Sequence, residues 1–433
     1  MSFIYTLSML GIYLYLSALS YSFPLNLETD GAAYLDNILA SDRNFRNLPP
    51  IISVPKESQR TIPEGEIPQY VIDYAPLVHL YSEEKYLPYD IKQFVTNLHA
   101  EFYNGTRIPG FEDKLKITDL EKLQKYNKAP DKLVYLTSNK DVDKDPEFIT
   151  GKKNIPRIID GKIVNAPAVL IVMDKGNGWV DSYWFYFYSF NLGPFVMGCG
   201  PYGNHVGDWE HSLVRFHNGK PIITWMSAHG GGGGYMYTAL EKFENDDKRP
   251  IIFSARGTHA NYASVGQHSH DLPYSILSDF TDRGPLWDPS QNYLAYTYDA
   301  EISQITFANG SVPFRESEYG YWLKYRGAWG DKKLDPSDPR QHWSPWEYKY
   351  IDGPTGPITK HLTRVSPCQR AKWWNFWNGC NLRRYPNMGE GVEREGPNCG
   401  HLLNFAGNGM FRYILEVLTW GGWGCWFFDL ILG

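Results

Sequence analysis

The chain has 433 residues, with 42 Lys and Arg against 48 Asp and Glu, a formal charge of −6. That mild acidic balance lacks the basic excess a nucleic-acid binder uses to neutralise phosphates, and a mean hydropathy of −0.42 excludes a polytopic membrane protein. The 31 Tyr, 22 Phe and 15 Trp, beside 40 Gly and 29 Pro, favour pleated surfaces punctuated by turns, so an all-β or β-rich α+β fold is expected rather than a helical bundle.

In chain order, no charged residue precedes Glu28, and Phe3 to Leu19 is almost wholly apolar. Residues 1–20 therefore read as a signal peptide or signal anchor directing entry into the secretory pathway, with Ala18-Leu19-Ser20 suited to cleavage. Residues 21–65 show no sustained period and read as a linker or loosely packed arm. Asp90 can cap a helix in which Ile91, Phe94, Val95 and Leu98 share one face. A second helical run follows Thr118, with Leu120, Leu123 and Tyr126 on one side. Asp141, Asp143 and Asp145 imitate the start of a calcium loop, but Pro146 stands where the glycine belongs and Lys152 where the closing glutamate belongs, so a solvated acidic turn is expected.

Strands then dominate. Ala168 to Met173 and Trp179 to Phe190 are joined by Lys175-Gly176-Asn177-Gly178, a hairpin signal. Trp209 to Phe216 and Pro221 to Ala228 flank Asn218-Gly219, which suits a type I′ turn with positive φ at both central residues. An uninterrupted register places His217 opposite Lys220, Asp208 opposite His229 and Glu210 opposite Ser227. One face then carries Phe216, Val214, Ile223 and Trp225, ending in a polar cluster, unless a bulge intervenes. The sequence echoes itself: Pro221-Ile222-Ile223 leads to Ser227-Ala228-His229-Gly230, and Pro250-Ile251-Ile252 leads to Ser254-Ala255-Arg256-Gly257-Thr258-His259. Both ends are expected at one rim of a single sheet. Residues 366–433 form a Cys/Trp-rich C-terminal extension, with Tyr413 to Gly433 either a packed segment or a membrane-surface one.

The candidate chemistry gathers at that rim. Asp208 and Glu210, two apart on a strand, project to one face about 6 to 7 Å apart and could share a cation with His205. One imidazole with two carboxylates suits zinc or manganese; carboxylates with water and carbonyls suit calcium or magnesium. The alternative is a buried polar network in which the acids accept hydrogen bonds. His229, before five glycines, suggests an oxyanion motif, yet no G-x-S-x-G elbow exists in the chain, so the glycines are expected as a flexible loop or a close backbone approach. His259 and Tyr262 are further ligand-binding candidates, with a structural turn histidine as the alternative. His268, His270 and Asp271 make a weaker cluster. Asn104 and Asn309 begin sequons. Of five cysteines, Cys368, Cys380 and Cys399 are disulfide candidates in an oxidising compartment, with Cys199 and Cys425 apart.

The ordered set Tyr74-Ala75-Pro76 with Tyr81, Asn191-Leu192-Gly193-Pro194, HVGDWEH (205–211), SAHGGGGGY (227–235), FSARGTHANY (253–262), SDFTDRGPLWDP (278–289), Trp329-Gly330-Asp331 and Gly353-Pro354-Thr355-Gly356-Pro357 resembles the fungal vacuolar protein sorting-associated family of the sixty-second complementation type, over roughly residues 70 to 370. The resemblance implies a secretory-pathway, endomembrane or vacuolar protein needed for delivery of vacuolar hydrolases. HVGDWEH followed by SAHG also looks like motifs of necrosis-inducing, ethylene-inducing-type cytolysins, which are β-sandwiches flanked by helices. In those a divalent cation in a rim cavity helps engage sphingolipid head groups. His205, Asp208, Glu210 and His229 match cavity positions; Val206 and Gly207 replace a central Arg-His, and Asn191 replaces an upstream acid.

The expected architecture is thus α+β: a β-sandwich core of mostly antiparallel strands over residues 66–365, with peripheral helices and the Cys/Trp-rich C-terminal segment. Three functions remain open. One is a non-enzymatic protein binding a lipid head group or glycan through a rim assisted by calcium, magnesium or manganese. Another is a metal-dependent hydrolase using Glu210 or His229 as general base. The third is a sorting partner whose rim acids are structural. The expected location is the secretory pathway, endomembrane or vacuole, with extracellular and membrane-anchored forms open.

Overall fold

The computed structural model describes residues 60–364 apart from 197–198, 230, 245, 270–276, 300, 309–315 and 344–346, together with 367, 382–383, 414 and 417–418. The N-terminal segment, most of the linker, Asn309, His270, Asp271, Cys368, Cys380, Cys399 and Cys425 lie outside the described residues. Within them, mixed sheets dominate and helices are few and short, a β-rich fold as the aromatic and turn content implied.

The central sheet has eight strands in the order β16-β15-β4-β5-β6-β7-β8-β17. These are β4 (Ala168–Gly176), β5 (Trp179–Asn191), β6 (His205–His217), β7 (Lys220–Ala228), β8 (Gly231–Met236), β15 (Tyr293–Asp299), β16 (Gln304–Phe307) and β17 (Leu382–Arg383). A second sheet contains β1 (Leu77–His79), β10 (Asp246–Ser254), β11 (Asn261–Tyr262) and β14 (Leu286–Trp287), with β9 (Lys242–Phe243) beside β10. β12 (Gly266–Ser269) and β13 (Ser278–Thr281) form a separate ribbon.

All thirteen residues of β5 are buried, which is why it reads as an unbroken aromatic run. Tyr183, Phe185 and Phe187 enter one apolar cluster with Trp209, Trp225, Trp322 and Trp329. Trp184, Tyr186 and Tyr188 enter another, shared with Val78, Ile252 and Trp287 of the second sheet. β5 therefore carries a core on each face.

The Asp90 helix forms as α2 (Ile91–Val95), after α1 (Gln69–Asp73); the Asp90 carboxylate accepts the Lys92 amide at 2.6 Å. It stops before Leu98 because the Asn97 side chain donates to the Gln93 carbonyl at 3.0 Å, closing the last turn; Leu98 instead opens β2 (Leu98–Glu101), paired with β3 (Tyr135–Ser138). The second helix is α3 (Asp119–Leu123), continued as a 3₁₀ turn to Tyr126, with Leu120 and Leu123 buried. In the acidic turn, Lys85 pairs with Asp145 at 2.7 Å, Lys144 with Asp141, and Lys349 lies near Asp143. The carboxylates face separate cations instead of one centre.

Both hairpins form with Asn-Gly turns, at φ +53 and +77 for Asn177-Gly178 and +48 and +77 for Asn218-Gly219. The β6–β7 register differs from the uninterrupted one. His217 pairs with Lys220 and Phe216 with Pro221, but Arg215 then pairs with Ile223, so Ile222 is an extra residue beside a proline that has no amide to donate. The shift sends Trp225 to the opposite core from Phe216 and Val214. Gly231 to Gly234 form no loop of their own: they open β8, which pairs with β7. A Cβ on Gly232 would lie 2.2 Å from the Trp225 ring, so the close-approach alternative holds there.

Candidate functional site

The polar residues converge where the N-terminal half of β6 meets the β10–β11 turn and the β12–β13 ribbon. The two sequence echoes do reach one place, but from different sheets: Ser227 ends β7 of the eight-stranded sheet, while His259 follows β10 of the second. Each echo presents its histidine in left-handed backbone, at φ +48 for His229 and +56 for His259. Non-glycine residues there are strained unless their surroundings hold them, and such residues concentrate at functional sites.

The surroundings are specific. The fully buried His259 ring donates from Nδ1 to Asp208 Oδ2 at 2.9 Å and from Nε2 to the Tyr86 carbonyl at 3.0 Å. It stacks on Tyr188 with centroids 3.7 Å apart, and Glu84 Oε1 lies 3.7 Å from Nε2. Burial alone would lower this imidazole, but the bond to Asp208 and the Glu84 carboxylate outweigh it and raise its pKa to about 9. His259 is thus the internal cation of the cluster.

Glu210, two residues from Asp208 on β6, is governed by the opposite effect. Burial and then the Asp208 charge raise its pKa to about 8, against a hydrogen bond donated by Ser227 Oγ to Glu210 Oε2. Both effects favour the protonated carboxyl. Ser227 also accepts the His211 amide at 2.7 Å, which fixes it after the register shift. His229 pairs with Asp279 and not with Asp208: Nε2 donates to Asp279 Oδ2 at 2.6 Å, and that carboxylate also accepts from Tyr262 and Thr258 at 2.7 and 2.8 Å. The His229 side chain is 23 % exposed and Asp279 1 %, so His229 is the solvent-facing end of the network.

His205 bonds its Nδ1 to the Gly207 carbonyl at 2.7 Å, and burial lowers its pKa despite nearby Asp208. Asn191, directly opposite His205, donates its amide to the Gly203 carbonyl at 3.0 Å. His268 is buried, stacked on Tyr262 and bonded to Thr281 Oγ1. Asn104 lies on an exposed turn. Cys199 is a free, exposed thiol.

Asp208, Glu210, His229, His259 and Tyr262 are thus brought into one network, with His205 and Asn191 at its edge. Among the described residues no group of three or more His, Cys, Asp and Glu side chains is placed to hold a metal ion. Asp208 already has an imidazolium partner, and Glu210 would have to release its proton to a cation. Two participants escaped sequence reasoning. Glu84, in Ser82-Glu83-Glu84-Lys85, looks like a solvated turn, yet its Oε2 accepts the Gly257 amide at 2.7 Å. Asp279 lies in the SDFTDRG segment, where nothing marks one aspartate over the next.

A second buried charged group sits on the other face of the sheet. Arg215 and Asp181, cross-strand partners on β6 and β5, form a bidentate pair at 2.7 and 2.8 Å with no exposure. Lys175 Nζ lies 3.3 Å from Asp181, and burial lowers its pKa to about 8.

A family model described as "Vacuolar protein sorting-associated protein 62" matches residues 152–333. A curated protein of Saccharomyces cerevisiae (strain ATCC 204508 / S288c), vacuolar protein sorting-associated protein 62, is 51 % identical over 400 residues, covering 85 % of this chain and 83 % of its own. The chain belongs to the vacuolar protein sorting-associated protein 62 family. A second relative from the same yeast, the putative vacuolar protein sorting-associated protein TDA6, is 49 % identical over 413 residues, covering 87 % of this chain and 86 % of its own. Within the vacuolar protein sorting-associated protein 62 match lie Asp208, Glu210, His229, His259 and Asp279, while Glu84 lies before it. Solved structures similar to part of the chain include Necrosis and Ethylene inducing Protein 2 from the causal agent of cocoa's Witches Broom disease, at 15 % identity, 49 % of this chain, 74 % of that chain and TM-score 0.22. Another is NLPPya in complex with glucosamine, at 12 % identity, 55 % of this chain, 83 % of that chain and TM-score 0.23. Scores this low carry no argument about this chain.

Proposed function

We propose that this chain is a non-enzymatic vacuolar protein sorting-associated protein of the endomembrane system that binds a polar head group, of a lipid or a glycan, at the His229 and His205 edge of the polar network. The family membership supports the sorting role and the vacuolar or endomembrane location. The observation that carries the binding reading is the pairing of His229: the bond to Asp279 orients its ring while leaving it partly exposed, a pre-organised imidazole beside buried acids. The two sheets sharing one apolar cluster support a β-sandwich that holds this edge in place.

A divalent cation enters this reading only by displacing the Glu210 proton and competing with His259 for Asp208. Calcium, magnesium or manganese should therefore raise the melting temperature at pH 9 and leave it unchanged at pH 6.5; no shift at either pH removes the cation from the account. The hydrolase alternative needs a deprotonated base beside an open coordination position; burial and the Asp208 charge disfavour Glu210 in that role and leave His229 to it. Calorimetric titration of the full chain with mannose, inositol phosphate and phosphocholine tests the binding reading. Saturable heat that disappears in His229→Gln supports it; no heat from any probe, or heat unaffected by the substitution, refutes it.

A further inference from the structure

A feature that shares no residue with the polar network is the turn joining α4 (Glu147–Thr150) to β4. Its tip carries Ile158 and Ile159, which are 105 % and 90 % exposed, flanked by Ile155 at 60 % and Val164 at 52 %. Four aliphatic side chains on one short turn, two of them with no protein cover, are unlike the scattered surface apolar residues of ordinary proteins. The turn is also basic. Residues 147–164 hold Lys152, Lys153, Arg157 and Lys162 against Asp160 and Glu147, which pair with Arg157 and Lys153, a local charge of +2 in a chain of net −6.

The turn is built to hold this shape. The Arg157 amide donates to the Lys162 carbonyl at 3.0 Å and the Gly161 amide to the Arg157 carbonyl at 2.7 Å. Arg157 clasps Asp160 through its guanidinium, and the Asp288 amide donates to the Gly161 carbonyl at 2.9 Å. A Cβ on Gly161 would meet the Asp288 backbone nitrogen at 2.9 Å, so the base of the turn is seated on β14 and its successor loop. On the other side, the buried Asn154 side chain donates to the Pro88 carbonyl at 2.8 Å. The base is tied down while the isoleucines project.

We propose that this turn is a membrane-docking tip: Ile158 and Ile159 enter the acyl boundary of an anionic bilayer, and Lys152, Lys153 and Lys162 meet its head-group charge. An apolar wedge ringed by lysine is the pattern of interfacial attachment, in which apolar burial and attraction to anionic lipid act together. A protein partner fits the composition less well. Interface anchors are typically Trp, Tyr and Arg in fitted pockets, and lysine is depleted there, whereas this tip has no aromatic side chain, its one arginine is clasped by Asp160, and lysines surround it. The attachment uses no residue of the polar network and stands whether or not that network binds a head group.

The test uses the full chain with phosphatidylcholine vesicles, with and without 30 mol% phosphatidylserine, measured by co-sedimentation. A double variant, Ile158→Asn with Ile159→Asn, should partition onto the phosphatidylserine vesicles at least tenfold more weakly at unchanged melting temperature, because neither side chain has packing to lose. Lys152→Glu with Lys153→Glu should abolish the preference for phosphatidylserine. A nitrobenzoxadiazole label on Ile159→Cys, compared with the parent chain labelled identically, should brighten and shift to the blue on those vesicles. Unchanged partition of the isoleucine variant, or a tip label indifferent to vesicles, overturns the proposal. So does loss of a protein partner by that variant with its vesicle binding intact. The isoleucine double variant should keep the head-group heat that His229→Gln abolishes, so the two readings fail separately.

Discussion

His211 offers a quantitative trial of how the aromatic slab is packed. Its ring is 1 % exposed, lies 4.7 Å from Phe185 at an interplanar angle of 23° and 5.0 Å from Trp225, and neither nitrogen has a hydrogen-bond partner among the described residues. Burial, then the positive charges of Arg364 and Lys360, hold its pKa well below 6.5, so the folded chain keeps the ring neutral. The unfolded chain takes up that proton as pH falls below 6.5. The unfolded state then binds more protons, and stability present above 6.5 is lost below it at about 1.4 kcal/mol per pH unit. At pH 5 this amounts to about 2 kcal/mol relative to pH 7.5. Phe fits the same slot without titrating and removes two buried nitrogens. His211→Phe should therefore match or exceed the parent chain at pH 7.5 and flatten its stability curve by about 2 kcal/mol between pH 7.5 and 5. Urea unfolding of both chains at pH 7.5, 6.5 and 5 measures this, since the other histidines titrate alike in both and cancel. Parallel curves would refute the buried, neutral ring and with it the packing of Phe185, His211 and Trp225.

Other consequences follow from the same contacts. Glu210→Gln should be nearly silent near pH 3, below the range in which the carboxyl of either the folded or the unfolded parent chain ionises. Between pH 4.5 and 8 the parent loses stability as its unfolded state ionises first, and the Gln chain does not, a widening gap visible in urea midpoints. Asp208→Asn removes the acid that sustains the His259 imidazolium, so the His259 pKa, followed by nuclear magnetic resonance, should fall from about 9 as burial takes over. Asp181→Asn removes the buried carboxylate that Arg215 and Lys175 share and should cost about 3 kcal/mol or more, read as a drop in the urea midpoint. Gly207 has φ +67, and a Cβ there would lie 2.0 Å from the Trp329 carbonyl oxygen; Gly207→Ala should cost at least about 2 kcal/mol in the same assay.

Local chemistry was the legible part of the sequence. Asn-Gly located both hairpin turns because few dipeptides accept two positive φ values, and Asp90 marked its helix through a cap bond that needs no distant partner. The length of that helix was not legible, because Asn97 can either continue a helix or close one. The β6–β7 pairing failed after two cross-strand pairs, just past Pro221, which has no amide to donate, where a bulge at Ile222 absorbs the mismatch. This error moved His229 from Asp208 to Asp279, although the membership of the polar cluster survived it. Glu84 and Asp279 were invisible because they reach the cluster through contacts 173 and 50 residues apart in the chain, which no local pattern records. The echo between residues 221–230 and 250–259 showed that two turns present histidines alike, and could not show that they approach from different sheets.

The central claim is that the exposed edge of this network recognises a polar head group. Histidine ring resonances of the full chain, recorded during titration with mannose, inositol phosphate and phosphocholine, test it most directly. The account predicts that at least one probe shifts His229 saturably, with His205 moving alongside and His211, sealed in the aromatic slab, staying still. Titrations in which the His229 and His205 signals of the folded protein remain fixed with every probe would contradict it.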